Sequence, residues 1–67
     1  MGIIKVIEVI ATSDKSFDDA TKNAVTEAAK TVKNIKSVYV NEMKAQVTGD
    51  KITSYGVNAK ISFEKNV

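Results

Sequence analysis

Apolar and polar residues alternate most cleanly near the C-terminal end of the chain. Tyr55, Val57, Ala59, Ile61 and Phe63 interleave with Ser54, Gly56, Asn58, Lys60, Ser62 and Glu64. A period of two puts one face of a strand against a core and leaves the other polar, as in an antiparallel sheet. The pattern predicts a strand from about Lys51 to Lys65. Another is predicted from about Lys36 to Val47, and Thr48-Gly49-Asp50 between them has hairpin chemistry, because glycine reaches the positive φ that tight turns need. At the other end, Ile3, Ile4, Val6, Ile7, Val9 and Ile10 are β-branched and predict a strand over Ile3 to Ala11. That strand is apolar on both faces, broken only by Lys5 on one and Glu8 on the other. Thr12-Ser13-Asp14-Lys15 then interrupts it with turn formers.

Between these strands the period changes to that of a helix. Phe17, Ala20, Ala24, Val25, Ala28, Val32 and Ile35 form one apolar stripe. Ser16 is placed to cap the helix, with Asp18 and Asp19 in the first turn where the dipole favours carboxylates. The spacing predicts a helix over Phe17 to Lys33, with Lys30 and Lys33 near its C-terminal end. Its stripe is mostly alanine, so the helix can lie close against a sheet.

The order is β-α-β-β. A right-handed crossover makes the first two strands parallel and lets the third sit between them, antiparallel to both. The expected fold class is α+β, a three-stranded antiparallel or mixed sheet wrapped by one helix, in a single domain over residues 1–67. Lengths add a constraint. The predicted helix spans about 25 Å, whereas hairpin arms of about 15 residues reach roughly 50 Å. Either the sheet curls strongly or neighbouring copies cover the rest.

Composition sharpens this picture. A chain of 67 residues has a marginal core of its own. It has no Cys and no His, so disulfides and the usual zinc sites are unavailable and self-association is the stabilising route left. The same absence leaves no neutral-pH base or nucleophile, and an enzyme is not expected. Net charge is only +2 and lysines are dispersed, which argues against a nucleic-acid partner. No apolar run approaches membrane-spanning length, and the alternating, charged opening from Met1 to Glu8 is unlike a signal peptide. A cytoplasmic protein without a membrane partner is expected.

The opening Lys5-Val6-Ile7-Glu8-Val9-Ile10-Ala11-Thr12-Ser13, the helix start Ser16-Phe17-Asp18-Asp19-Ala20 and the closing Ala59-Lys60-Ile61-Ser62-Phe63 resemble the dodecin family over nearly the whole chain. The resemblance implies a hollow homododecamer of cubic-type symmetry that stores flavin (riboflavin, FMN or FAD). In the flavin-binding members, tryptophans of symmetry-related subunits stack on the isoalloxazine ring and a glutamine hydrogen-bonds it. Here Ser37 stands where the tryptophan is expected, and Gly56, within Tyr55-Gly56-Val57, stands where the glutamine is expected. Tyr39, two residues along the same strand face, is the candidate replacement stacking surface.

At these positions the chain is also similar to a tryptophan-less branch of the family that implies calcium binding. No acidic loop of calcium-ligand spacing occurs in the sequence. A carboxylate beside a threefold axis would nevertheless supply three oxygen ligands, and Glu8, Glu42, Asp50 and Glu64 are the candidates. A ligand-storing shell and a cation-binding or purely structural shell are therefore the two expectations. An adaptor that recruits a protein through an exposed sheet edge is a third, outside the family.

Overall fold

The computed structural model describes residues 2–66; Met1 and Val67 lie outside it. Four elements follow one another: β1 (Gly2–Ser13), α1 (Phe17–Ala29), β2 (Ile35–Thr48) and β3 (Lys51–Asn66). The sheet order is β1-β3-β2, with β3 antiparallel to both neighbours, so β1 and β2 run parallel as expected. Each strand extends slightly beyond its predicted limits. β1 continues through Thr12 and Ser13, because both pair with β3, opposite Gly56 and Tyr55.

The alanine stripe brings α1 onto the sheet. Ala20, Ala24 and Ala28, each four residues from the next, are buried to 0%, 0% and 4% exposure, and side chains of that size let a helix backbone approach closely. Ala24 and Ala28 pack on Ala59 and Ile61, with Ile7, Val9, Val32 and Val38 around them. Among the described residues only Ile61 and Val57 are large side chains that are fully buried. Burying such a side chain stabilises by about 1.5–3 kcal/mol, so this core is small.

Ser13 organises the turn into the helix. Its Oγ donates to Asp19 Oδ2 at 2.7 Å and accepts from the Lys15 N–H at 2.9 Å. Ser16, in extended conformation, caps the helix by accepting from the Asp19 N–H at 2.9 Å. Ser13→Ala leaves the Lys15 N–H without this partner and frees the Asp19 carboxylate. We expect a loss of about 1–2 kcal/mol, read as a lower urea midpoint at unchanged m-value.

The helix ends one turn earlier than the predicted Lys33. Ala29 is its last residue, and the N–H groups of Thr31 and Val32 both turn back to the Ala28 carbonyl, at 3.0 and 2.9 Å. Thr31 and Val32 are β-branched and lose side-chain freedom in a helix. Asn34 then takes φ +63° and redirects the chain into β2, a conformation asparagine tolerates better than most residues. Lys30, expected to complement the helix terminus, instead forms an exposed ion pair with Glu27 at 3.1 Å, an interaction of small net value.

Past Tyr55 and Ala45, β2 and β3 continue without β1 as a two-stranded arm. At its tip Gly49 has φ +65° and Asp50 does not have positive φ, the pattern of a type II′ turn. The arm leaves Val47 and Ile52 largely exposed, and a lone two-stranded ribbon is marginally stable in water. The molecule measures 52 × 19 × 13 Å, whereas α1 covers only about 20 Å of that length. Its radius of gyration is 13.7 Å, against about 11 Å for a compact chain of this size. Its accessible surface is 4948 Å², against roughly 4,200 Å² for a compact monomer of this mass. The subunit is therefore more elongated and more exposed than a compact chain of its size.

Candidate functional site

The helix covers one face of the sheet and leaves the other bare. Pairing places Ile4, Val6, Glu8, Ile10 and Thr12 of β1 on the bare face, beside Glu64, Ser62, Lys60, Asn58 and Gly56 of β3. Ser37, Tyr39, Glu42, Lys44 and Gln46 of β2 complete it, with bulges at Ile35/Ser37 and Val40/Glu42 keeping these side chains in phase. Ile4, Val6, Ile10 and Tyr39 are 59%, 56%, 77% and 64% exposed. This apolar set on a solvent-facing sheet answers the two-sided apolar pattern of the first predicted strand.

A shallow pocket of about 270 Å³ opens on this face over Gly56, walled by Ile10, Thr12, Glu42, Lys44 and Asn58. The missing side chain at Gly56 makes the hollow. A Cβ there would lie 3.4 Å from the Lys44 carbonyl oxygen and 3.9 Å from Thr12 Cγ2, so the site tolerates a side chain. Asn58 forms part of the wall, and its Oδ1 is buried without a hydrogen-bond partner among the described residues.

The three positions singled out for a flavin-type ligand share the bare face but are not neighbours. Ser37 pairs with Ser62 and Tyr39 with Lys60. Along β3 those partners lie six and four positions from Gly56, roughly 20 and 13 Å. One chain therefore does not bring Ser37 or Tyr39 to Gly56. Ser37 is exposed, and Tyr39 presents an open ring beside Lys60. Tyr55 points to the other side, half-buried and edge-on to Phe17 with ring centroids 5.0 Å apart, at the border of the core rather than within it.

The four candidate carboxylates are dispersed. Glu8 is exposed between Val6 and Ile10, opposite Lys60. Glu42 lines the pocket, and Asp50 sits at the hairpin tip. Glu64 is at the far end, 3.7 Å from Lys36, on the edge of a second concavity of about 420 Å³ with Lys5, Lys33 and Lys65. Among the described residues no three acidic, His or Cys side chains converge to hold a metal. The idea of a cation site built from these residues thus finds no such cluster within one chain, because they are spread along the long axis of the sheet.

Sequence reasoning passed over Asn58, Ile10 and Lys44. The period of two put Asn58 on the polar face in phase with Gly56, which read as a solvated position. Only the burial of its Oδ1 beside the hollow shows otherwise.

A one-helix β-α-β-β subunit whose sheet is shielded on one side only, with an apolar open face, is the class that fold and site define. Residues 3–66 match the dodecin family, and the chain belongs to it. The structure is similar to dodecin from Streptomyces coelicolor, with a TM-score of 0.91, 27% identity, and 98% of this chain and 94% of that one covered. In fold it also resembles dodecin from Streptomyces davaonensis, at TM-score 0.91, 24% identity and coverage of 98% and 97%. A Thermus thermophilus protein shares the fold at TM-score 0.93, 21% identity and coverage of 100% and 98%. No curated protein matches the sequence. Among the described residues no helix is long and apolar enough to cross a membrane.

Proposed function

We propose that this dodecin is a non-enzymatic cytoplasmic subunit of a homododecameric shell that binds a small aromatic ligand of the flavin class between its copies. The observation that carries the reading is the bare sheet face, on which Ile4, Val6, Ile10 and Tyr39 lie open, with a polar hollow at its Ile10 end. Burying each aliphatic side chain there is worth about 1.5–3 kcal/mol, a driving force that only association can use. Tyr39 and the Gly56 hollow are too far apart to act within one chain, so the ligand would be held by residues of different copies. Ser37 has no π face, and the affinity for flavin is accordingly expected to be weaker than where tryptophan stacks.

Titration of riboflavin, FMN and FAD, followed by flavin fluorescence, tests this together with light scattering on the same sample. Quenching at micromolar protein by a dodecamer supports the reading; a dodecamer that quenches none of the three removes flavin as the ligand. Base–aromatic stacking is worth roughly 1–3 kcal/mol per ring. The double variant Ser37→Trp with Gly56→Gln should therefore tighten riboflavin binding by about 5- to 150-fold, measured by the same quenching. The contact distances at Gly56 leave room for the new side chain.

Glu8 favours a second reading, a cation-binding or structural shell. It is a carboxylate standing in an apolar face, and a buried carboxylate needs a counter-charge. Lys60 opposite it can serve, or a cation such as calcium shared by copies around an axis. A melting temperature that rises with calcium and not with flavin distinguishes this reading from the first.

A further inference from the structure

We propose that Asn58 is the specificity-determining residue of the pocket over Gly56, where its carboxamide recognises a ring edge that carries an N–H beside a carbonyl. The inference deepens the ligand-binding reading above and rests on it for the pocket's use. A buried acceptor without a donor costs about 1–3 kcal/mol, so Asn58 Oδ1 is a group in want of an N–H. Its strand neighbours do not supply one: across the bare face Asn58 stands between Ile10, which is apolar, and Glu42, whose carboxylate accepts.

The terminal torsion of asparagine is broad and nearly two-fold. Rotation about it is the step that would bring Oδ1, buried in the free chain, to the hollow. An imide or lactam edge offers the matching pair, an N–H for Oδ1 and a carbonyl for the Asn58 Nδ2–H. Glu42 and Lys44 flank the pair on one side and Ile10 gives an apolar wall on the other, which suits a flat heterocycle held by its polar edge. A volume of about 270 Å³ is just below the usual range of about 300–1,000 Å³ for small-molecule pockets, enough for the recognised end of such a ring.

The test compares the assembled wild-type protein with Asn58→Leu, using four probes: riboflavin, 3-methylriboflavin, which lacks the imide N–H, and the simple imides lumazine and uracil. Binding is followed by fluorescence and calorimetry, with melting and light scattering on each sample. We expect Asn58→Leu to stay assembled and to melt at or above wild type without ligand, since an unsatisfied oxygen has been removed. It should bind the imide N–H probes at least 10-fold more weakly, while the methylated flavin, already weak, is hardly affected. Equal losses for riboflavin and its methyl derivative, or no loss for either, overturn the proposal. Disassembly of Asn58→Leu overturns it too, because the missing donor then comes from a neighbouring copy; Asn58→Ala, which imposes less bulk, separates that result from steric damage. If the flavins fail to bind wild type but lumazine or uracil binds in an Asn58-dependent manner, the flavin reading falls and this one stands. If no imide binds wild type, the role of Asn58 is rejected.

Discussion

Ile10→Lys should dissolve the assembly while leaving the fold of the individual subunit intact. Ile10 is 77% exposed in the chain and makes no contribution to the buried core, so by single-chain reasoning the change is harmless. In an assembly closed through the bare face, each copy would instead have to bury an ammonium group in place of an apolar side chain. Taking an ion out of water costs several kcal/mol even where a carboxylate such as Glu8 or Glu42 stands near it, and a symmetric shell incurs it at every equivalent contact. Light scattering is expected to show a fall from the dodecameric mass to small species at micromolar concentration, with helical and strand signals in circular dichroism largely kept at low temperature. Lys22→Ala, on the exposed side of α1, should change neither. An intact shell from Ile10→Lys would mean that the copies do not meet through this face.

Ile61→Ala acts on the opposite side of the sheet. Ile61 is 0% exposed and packs under Ala24 and Ala28. Removing it leaves a cavity that two alanines cannot refill, because neither has side-chain length to lend. Large-to-small changes at such sites cost about 2–5 kcal/mol, and a single core in a chain of this size supplies only about 3–5 kcal/mol. The variant is expected to be unfolded as a monomer, and to melt far below wild type and with a steep concentration dependence if assembly rescues it. Scanning calorimetry at two protein concentrations measures both effects. A shift of only a few degrees would show that the helix settles onto the sheet and closes the void.

The two substitutions divide the molecule as the sequence did, though not equally visibly. The alternation of Val57, Ala59 and Ile61, the alanine stripe of α1 and the Gly49 turn were all legible, because local periodicity states which side of an element is apolar. The end of the helix was less legible. Val32 continues the apolar stripe, and only the turn of Thr31 and Val32 back to Ala28, followed by Asn34 at φ +63°, shows that the stripe outlasts the helix. The site was legible only as positions: the sequence put Ser37 and Tyr39 on one strand face and Gly56 on the polar side of another, and pairing brings all three to the bare face. Their separation along that face depends on the register of β2 against β3, including the bulge at Val40/Glu42, and register is a property of paired strands.

Sequence by itself determined the element order and the faces of each element. Those follow from residue type and spacing alone. The tertiary structure alone decided that Asn58 borders a hollow with an unmet acceptor, that the four carboxylates stand apart, and that Ile10 is open rather than buried. Each of these is set by which strands pair and where the single helix stops, and no local pattern in the chain encodes the distance between residues that the pairing brings together or holds apart.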